Sequence, residues 1–309
     1  MITSVFKKST PLNFSLVVIL MLVFFFLYQI QVPGWTNSVF LILQKTGLLV
    51  VLLATIFLTS FISKRNGLSR DSTYTAFFSF LFLVFFPDLL NNPHLILANF
   101  FILLALRRLV SLQTLKETKE KLFDASLWIF IAALFQFWSI LYILLVFISV
   151  IFHVSRDYRN WVIPFIALFA VSILFVLSSL IFDIHGMAFL QESSKINLSI
   201  DYFTNNYQNV AFSVYVTIAL FFVISMFTSL SSRPLVLLSS YKKVIASFFI
   251  GIFVFILSAN KSNELLVFTF APLAILATSH IEIAQPKLKE EIVMFVLIVC
   301  SFFAFFSQL

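Results

Sequence analysis

Apolar runs long enough for membrane helices, separated by short polar clusters, repeat from one end of the chain to the other. A helix crosses bilayer hydrocarbon with about 20 apolar residues, in a range near 17 to 25. The runs at 13–31, 46–63, 72–88, 93–110, 125–138, 139–155, 161–182, 208–230, 243–259, 263–280 and 291–307 predict about eleven such helices. The difficult segment is 125–155, which holds no Asp, Glu, Lys or Arg and is long for one helix and short for two.

Charge decides between the two. With a hairpin turning near Gln136, Phe137, Trp138 and Ser139, one side of the membrane receives Lys7, Lys8, Lys64, Arg65, Arg70, Arg107, Arg108, Lys116, Lys119, Lys121, Arg156, Arg159, Arg233, Lys242, Lys243, Lys287 and Lys289. The other side receives only Lys45, Lys195 and Lys261. A single helix over 125–155 inverts everything downstream and leaves 12 against 8 of the 20 Lys and Arg. Cytoplasmic loops carry the excess of Lys and Arg, so the hairpin is preferred. The expected fold is an all-α, polytopic transmembrane bundle in the bacterial inner membrane. It forms one domain over 1–309, with the N-terminus cytoplasmic and the C-terminus outside. Each hairpin arm is too short to face lipid comfortably and is expected inside the bundle.

Composition agrees. Apolar residues make up 61% of the chain and charged residues 11%, with a mean hydropathy of +1.07. Soluble domains carry about 25% charged residues. The 43 Phe residues are expected as lipid-facing bulk. A net charge of +7 does not indicate nucleic acid, because the basic residues lie in short connectors and form no continuous patch. Cys300 is the one cysteine, so no intrachain disulfide forms. Lys7 and Lys8 followed by an apolar stretch resemble a signal peptide, but no small-residue cleavage site follows, and the stretch is read as an uncleaved first span. Trp35, Trp138, Tyr202 and Tyr207 are expected near the outer boundary; Trp128, Tyr158, Trp161 and Tyr241 near the inner one.

Of five glycines only Gly251 lies well inside a span, and no GxxxG occurs, so close packing through small residues is not the main glue. Pro272 lies mid-span and is expected to kink its helix. Residues 107–124 are expected to form an amphipathic helix on the cytoplasmic leaflet. Residues 183–207 form the largest outer loop.

Candidate chemistry is sparse. Phosphate-binding glycine loops, H-E-x-x-H and Cys/His metal spacings are all missing, and neither metal nor cofactor is expected. No span carries a charge near its centre, which speaks against ion-coupled transport. Polar groups gather instead at the outer rim: Asp88 and His94 around the turn 87–94, Asp183 with His185, and Lys261 with Glu264. Asp88 and Asp183 are the candidate catalytic carboxylates, with His94, His185, Lys261 and Glu264 as substrate-binding groups. A carboxylate there can accept a proton from a hydroxyl and a lysine can hold a phosphate. The same residues also make ordinary turns and caps.

The opening Met1 to Phe14, the stretch Ala98 to Arg108, Phe123-Asp124-Ala125, Ala133 to Phe137 and Tyr158 to Ile163 resemble a polytopic membrane-protein family of Bacteroidota with a domain of unknown function. Lys261 to Leu266, leading to Phe270-Ala271-Pro272, is similar to the late span of GT-C-type integral-membrane glycosyltransferases. That similarity implies a polyprenyl-phosphate-linked sugar as substrate and a catalytic Asp in the first outer loop. Residues 32–45 contain no Asp or Glu, and Asp88 in the second outer loop takes that place. Three functions follow: a protein of cell-envelope biogenesis handling lipid-linked sugars at the outer face, a non-enzymatic scaffold with a membrane-complex partner, or a transporter of lipid or a small molecule. Membrane lipids are partners in all three.

Overall fold

The computed structural model describes residues 2–32, 38–181, 191–198, 205–283 and 286–309. Among these residues the chain is helical throughout, with no strand. The helices are α1 (Ile2–Phe6), α2 (Pro11–Gln31), α3 (Val39–Arg65), α4 (Tyr74–Val84), α5 (Pro93–Val110), α6 (Thr118–Phe135), α7 (Ile143–His153), α8 (Arg159–Ile181), α9 (Asn206–Ser229), α10 (Leu235–Leu257), α11 (Val267–Glu282) and α12 (Lys287–Gln308), joined by several 3-10 turns. Eight are long and apolar enough to cross a membrane: α2, α3, α5, α8, α9, α10, α11 and α12, three of them lengthened by an adjoining 3-10 turn. The three other expected spans correspond to α4, α6 and α7.

The described residues cluster into two compact units. The first holds 1–96, 203–233 and 270–309; the second holds 97–202 and 234–269.

In the first unit polar contacts form two layers, one at each end of the helices. At one end Tyr74 donates to the Thr3 carbonyl (2.8 Å), Ser72 and the Arg70 amide donate to Glu282 (2.6 and 2.8 Å), and Arg233 donates to the Ser279 carbonyl (3.1 Å). Thr3 also bonds Glu291. At the other end Tyr28 and Gln208 meet Asp88, Lys45 meets Asn91, and Gln308 meets the Phe85 carbonyl. Successive helices therefore alternate in direction. Lys7, Lys8, Lys64, Arg65, Arg70, Arg233, Lys287 and Lys289 belong to the first layer; among the described residues of this unit Lys45 alone belongs to the second.

Between the layers lies a phenylalanine core. Every residue of α4 is buried, with Phe77 stacked on Phe6 (4.0 Å) and Phe80 edge-on to Phe24 (5.6 Å). Tyr215 is ringed by Phe82, Phe85, Phe86 and Phe270. The expectation that Phe is lipid-facing bulk is corrected: rings such as Phe165 and Phe169 are exposed, but many others fill this core. With only five glycines in the chain, flat aromatic side chains supply much of the packing density. All 11 residues of α4 are enclosed by the described chain.

The second unit repeats the two-layer pattern. Lys119 pairs with Asp157 (3.5 Å), Arg108 with Asp124 (2.8 Å), and Ser240 donates to Gln113 (2.8 Å) at one end. Gln136 donates to Ser258 (3.0 Å) and Asn197 to the Ala259 carbonyl (3.3 Å) at the other. The Lys119–Asp157 pair joins the start of α6 to the end of α7, and Gln136 turns between them in extended conformation (φ −138°, ψ 103°). The hairpin expected in 125–155 is formed. Its arms are not wholly enclosed, however: Leu144, Ile151 and Phe152 of α7 are exposed. Asp157 is partly exposed, and its carboxyl is held below the ordinary carboxylate range, first by the Arg159 amide it caps and then by Lys119.

The amphipathic helix expected over 107–124 is not formed. α5 runs on to Val110, a 3-10 turn covers Ser111–Thr114, and Leu115 (φ 54°) and Glu117 (φ 51°) are left-handed before α6 begins. Two left-handed residues break helical continuity. Of the leucines spaced for an interfacial face, Leu109 and Leu112 are fully buried and Leu115 is exposed.

Candidate functional site

Asp88 stands in the first turn of the 3-10 segment Pro87–Asn91. Phe86 before it is extended, and Pro87 fixes the backbone entering the turn. Tyr28, in the last turns of α2, donates its hydroxyl to Oδ1 (3.2 Å), and Gln208, in the first turn of α9, donates its amide to Oδ2 (3.0 Å). The two donors come from different helices and fix the plane of the carboxylate. Each oxygen retains lone-pair capacity beyond the bond it accepts. Side chains three apart in a 3-10 helix eclipse, so Asn91 shares the face of Asp88, and Asn91 holds the Lys45 ammonium. The turn thus carries a carboxylate and a cation at the end of the first unit opposite its basic layer. Asn92 accepts from the Leu95 amide and caps α5, and Gln29, fully buried, donates to the Leu90 carbonyl.

Beside this turn runs the seam between α9 and α12. A cavity of about 220 Å³ is lined by Val210, Ala211, Val214, Val299, Cys300, Phe303, Ala304 and Ser307. Val210 and Ala211 lie two and three residues after Gln208, and Ser307 precedes Gln308, whose amide donates to Phe85, three residues before Asp88. A second cavity of about 290 Å³ continues along the same seam toward the basic layer.

The residues singled out from the sequence fall in both units. Asp88 and His94 lie in the first unit, His94 exposed in the first turn of α5. Lys261 and Glu264 lie in the second unit, half-buried, Glu264 in the 3-10 turn Asn263–Leu266. Asp183 and His185 fall outside the described residues. Among the described residues no group of three His, Cys, Asp or Glu is placed to hold a metal ion.

Sequence reasoning missed Tyr28, Lys45 and Gln208. The available signal was polar placement: Tyr28 and Gln29 end an otherwise apolar span, and Gln208 opens one. It missed Lys243 as well. That residue stands first in the span expected over 243–259 and is counted with the cytoplasmic charges, but it sits fully buried within α10, its ammonium on the carbonyls of Leu109 (2.6 Å) and Val110 (3.4 Å) and 3.1 Å from His153 Nε2. A cation on the last carbonyls of α5 satisfies groups the helix cannot satisfy itself.

The fold and the site together define a polytopic α-helical integral membrane protein. Compared with protein-family models, curated proteins and solved structures, the chain matches none.

Proposed function

We propose that this is a bacterial inner-membrane protein of cell-envelope biogenesis that handles a lipid-linked sugar at the outer face, with GT-C-like architecture. Eleven passes place the N-terminus in the cytoplasm and the C-terminus outside. The positive-inside bias supports this orientation, because each unit taken by itself gathers its Lys and Arg at one end. The observation that carries the reading is the Asp88 turn: a carboxylate oriented by two donors, beside a lysine, at the non-basic end of an apolar cavity. The cavity suits the hydrocarbon of a polyprenyl carrier, Lys45 its phosphate, and Asp88 the proton of the acceptor hydroxyl. Asp183, His94, His185, Lys261 and Glu264 remain proposed contributors.

Asp88→Asn keeps the shape of the turn and removes the base. Losing a general base costs about 10² to 10⁴-fold. The variant is expected at normal abundance in the membrane with surface glycan lost. Normal glycan at normal abundance overturns the enzymatic reading.

The second reading is the non-enzymatic scaffold. It is favoured by the two intrachain bonds that occupy Asp88, which suit a residue locking α2 to α9. In that case Asp88→Asn lowers abundance and phenotype together.

A further inference from the structure

We infer that the larger cavity of the α9–α12 seam is a binding site for one acyl chain of an anionic glycerophospholipid from the leaflet on the basic side, with Lys289 as its headgroup contact. The site is separate from the Asp88 turn and does not rest on the function proposed for it. The cavity of about 290 Å³ is lined by apolar groups apart from Thr217; Phe221 on α9 and Ile292 and Val296 on α12 are each about half exposed, so the furrow opens sideways. Its deepest lining residue on α12, Leu297, lies ten residues from Lys287, about 15 Å along the axis. That is half of the ~30 Å hydrocarbon thickness, the depth of one leaflet. Lys289 precedes Ile292 and Val293 by three and four residues, so it stands on the furrow's own face, one turn nearer the surface. It is exposed and makes no ion pair among the described residues. Of the neighbouring acids, Glu291 is held by Thr3. An apolar slot one leaflet deep with an exposed lysine at its mouth matches a negatively charged phospholipid.

The test is native mass spectrometry of the full-length protein in mild detergent, titrated with phosphatidylglycerol and with phosphatidylcholine of the same chains. Phosphatidylglycerol is expected to be retained more strongly. Lys289→Gln is expected to weaken its retention about five-fold, the effect of one basic residue near an anionic surface. Val296→Trp, which fills the slot, is expected to abolish retention, and Ile292→Trp serves if that variant does not fold. Equal retention of the two lipids, or wild-type retention in the folded tryptophan variant, overturns the proposal. So does one-for-one displacement by polyprenyl phosphate, which would make the seam a single groove belonging to the outer end.

Discussion

Pro272 has no amide hydrogen for the carbonyl four residues before it, that of Phe268. Inside a membrane such a carbonyl must find another donor. Tyr142 supplies one: its hydroxyl, fully buried, lies 3.0 Å from the Phe268 oxygen and 3.1 Å from that of Ser247. Gly251 makes room for this arrangement, since a Cβ there would stand 3.1 Å from the Phe268 carbonyl and 2.9 Å from Thr269 Cγ2. The sequence marked Gly251 as the one glycine deep in a span and Pro272 as a mid-span proline. Nothing in it tied either to Tyr142, more than a hundred positions away from both. Tyr142→Phe removes the donor and is expected to cost about 1–3 kcal/mol, the usual range for an unsatisfied buried acceptor. Pro272→Ala restores an amide to the same carbonyl, so the loss from Tyr142→Phe is expected to shrink in that background. A double-mutant cycle on unfolding in detergent measures the coupling; strict additivity contradicts it.

Helices of this chain divide into enclosed and lipid-facing elements, and hydropathy alone does not separate them. α4 and α8 are both apolar and rich in Phe, but α4 is buried throughout while α8 exposes Phe165, Phe169, Leu180 and others. The difference goes with length, 11 residues in α4 against 23 in α8. Phe80→Ala is expected to destabilise by about 3–5 kcal/mol through the cavity it leaves. Phe169→Ala, on a face that meets lipid, is expected to stay within about 0.5 kcal/mol. Comparable losses for both, measured by thermal unfolding in one detergent, contradict this division. The α6–α7 hairpin was legible because charge counting constrains the number of passes. The corner at Leu115 and Glu117 was not, because neither residue type announces a left-handed backbone and the leucine spacing there mimics an amphipathic helix.

At the scale of the molecule the two units carry the same arrangement independently. In each, helices alternate in direction, and nearly all Lys and Arg share one end. The charge bias of the sequence selects a partition of 17 against 3 of the 20. The candidate site was legible only as far as Asp88. Its donors and cation come from helices whose neighbours no local pattern specifies, and the seam beside it depends on α9 and α12, far apart in sequence, lying side by side. Sidedness is the claim on which the outer position of that site depends. Reporter fusions placed in the 154–158 connector and after Leu309 test it most directly. The account predicts a cytoplasmic signal from the connector and an external signal from the C-terminus; both signals from one side of the membrane would contradict it.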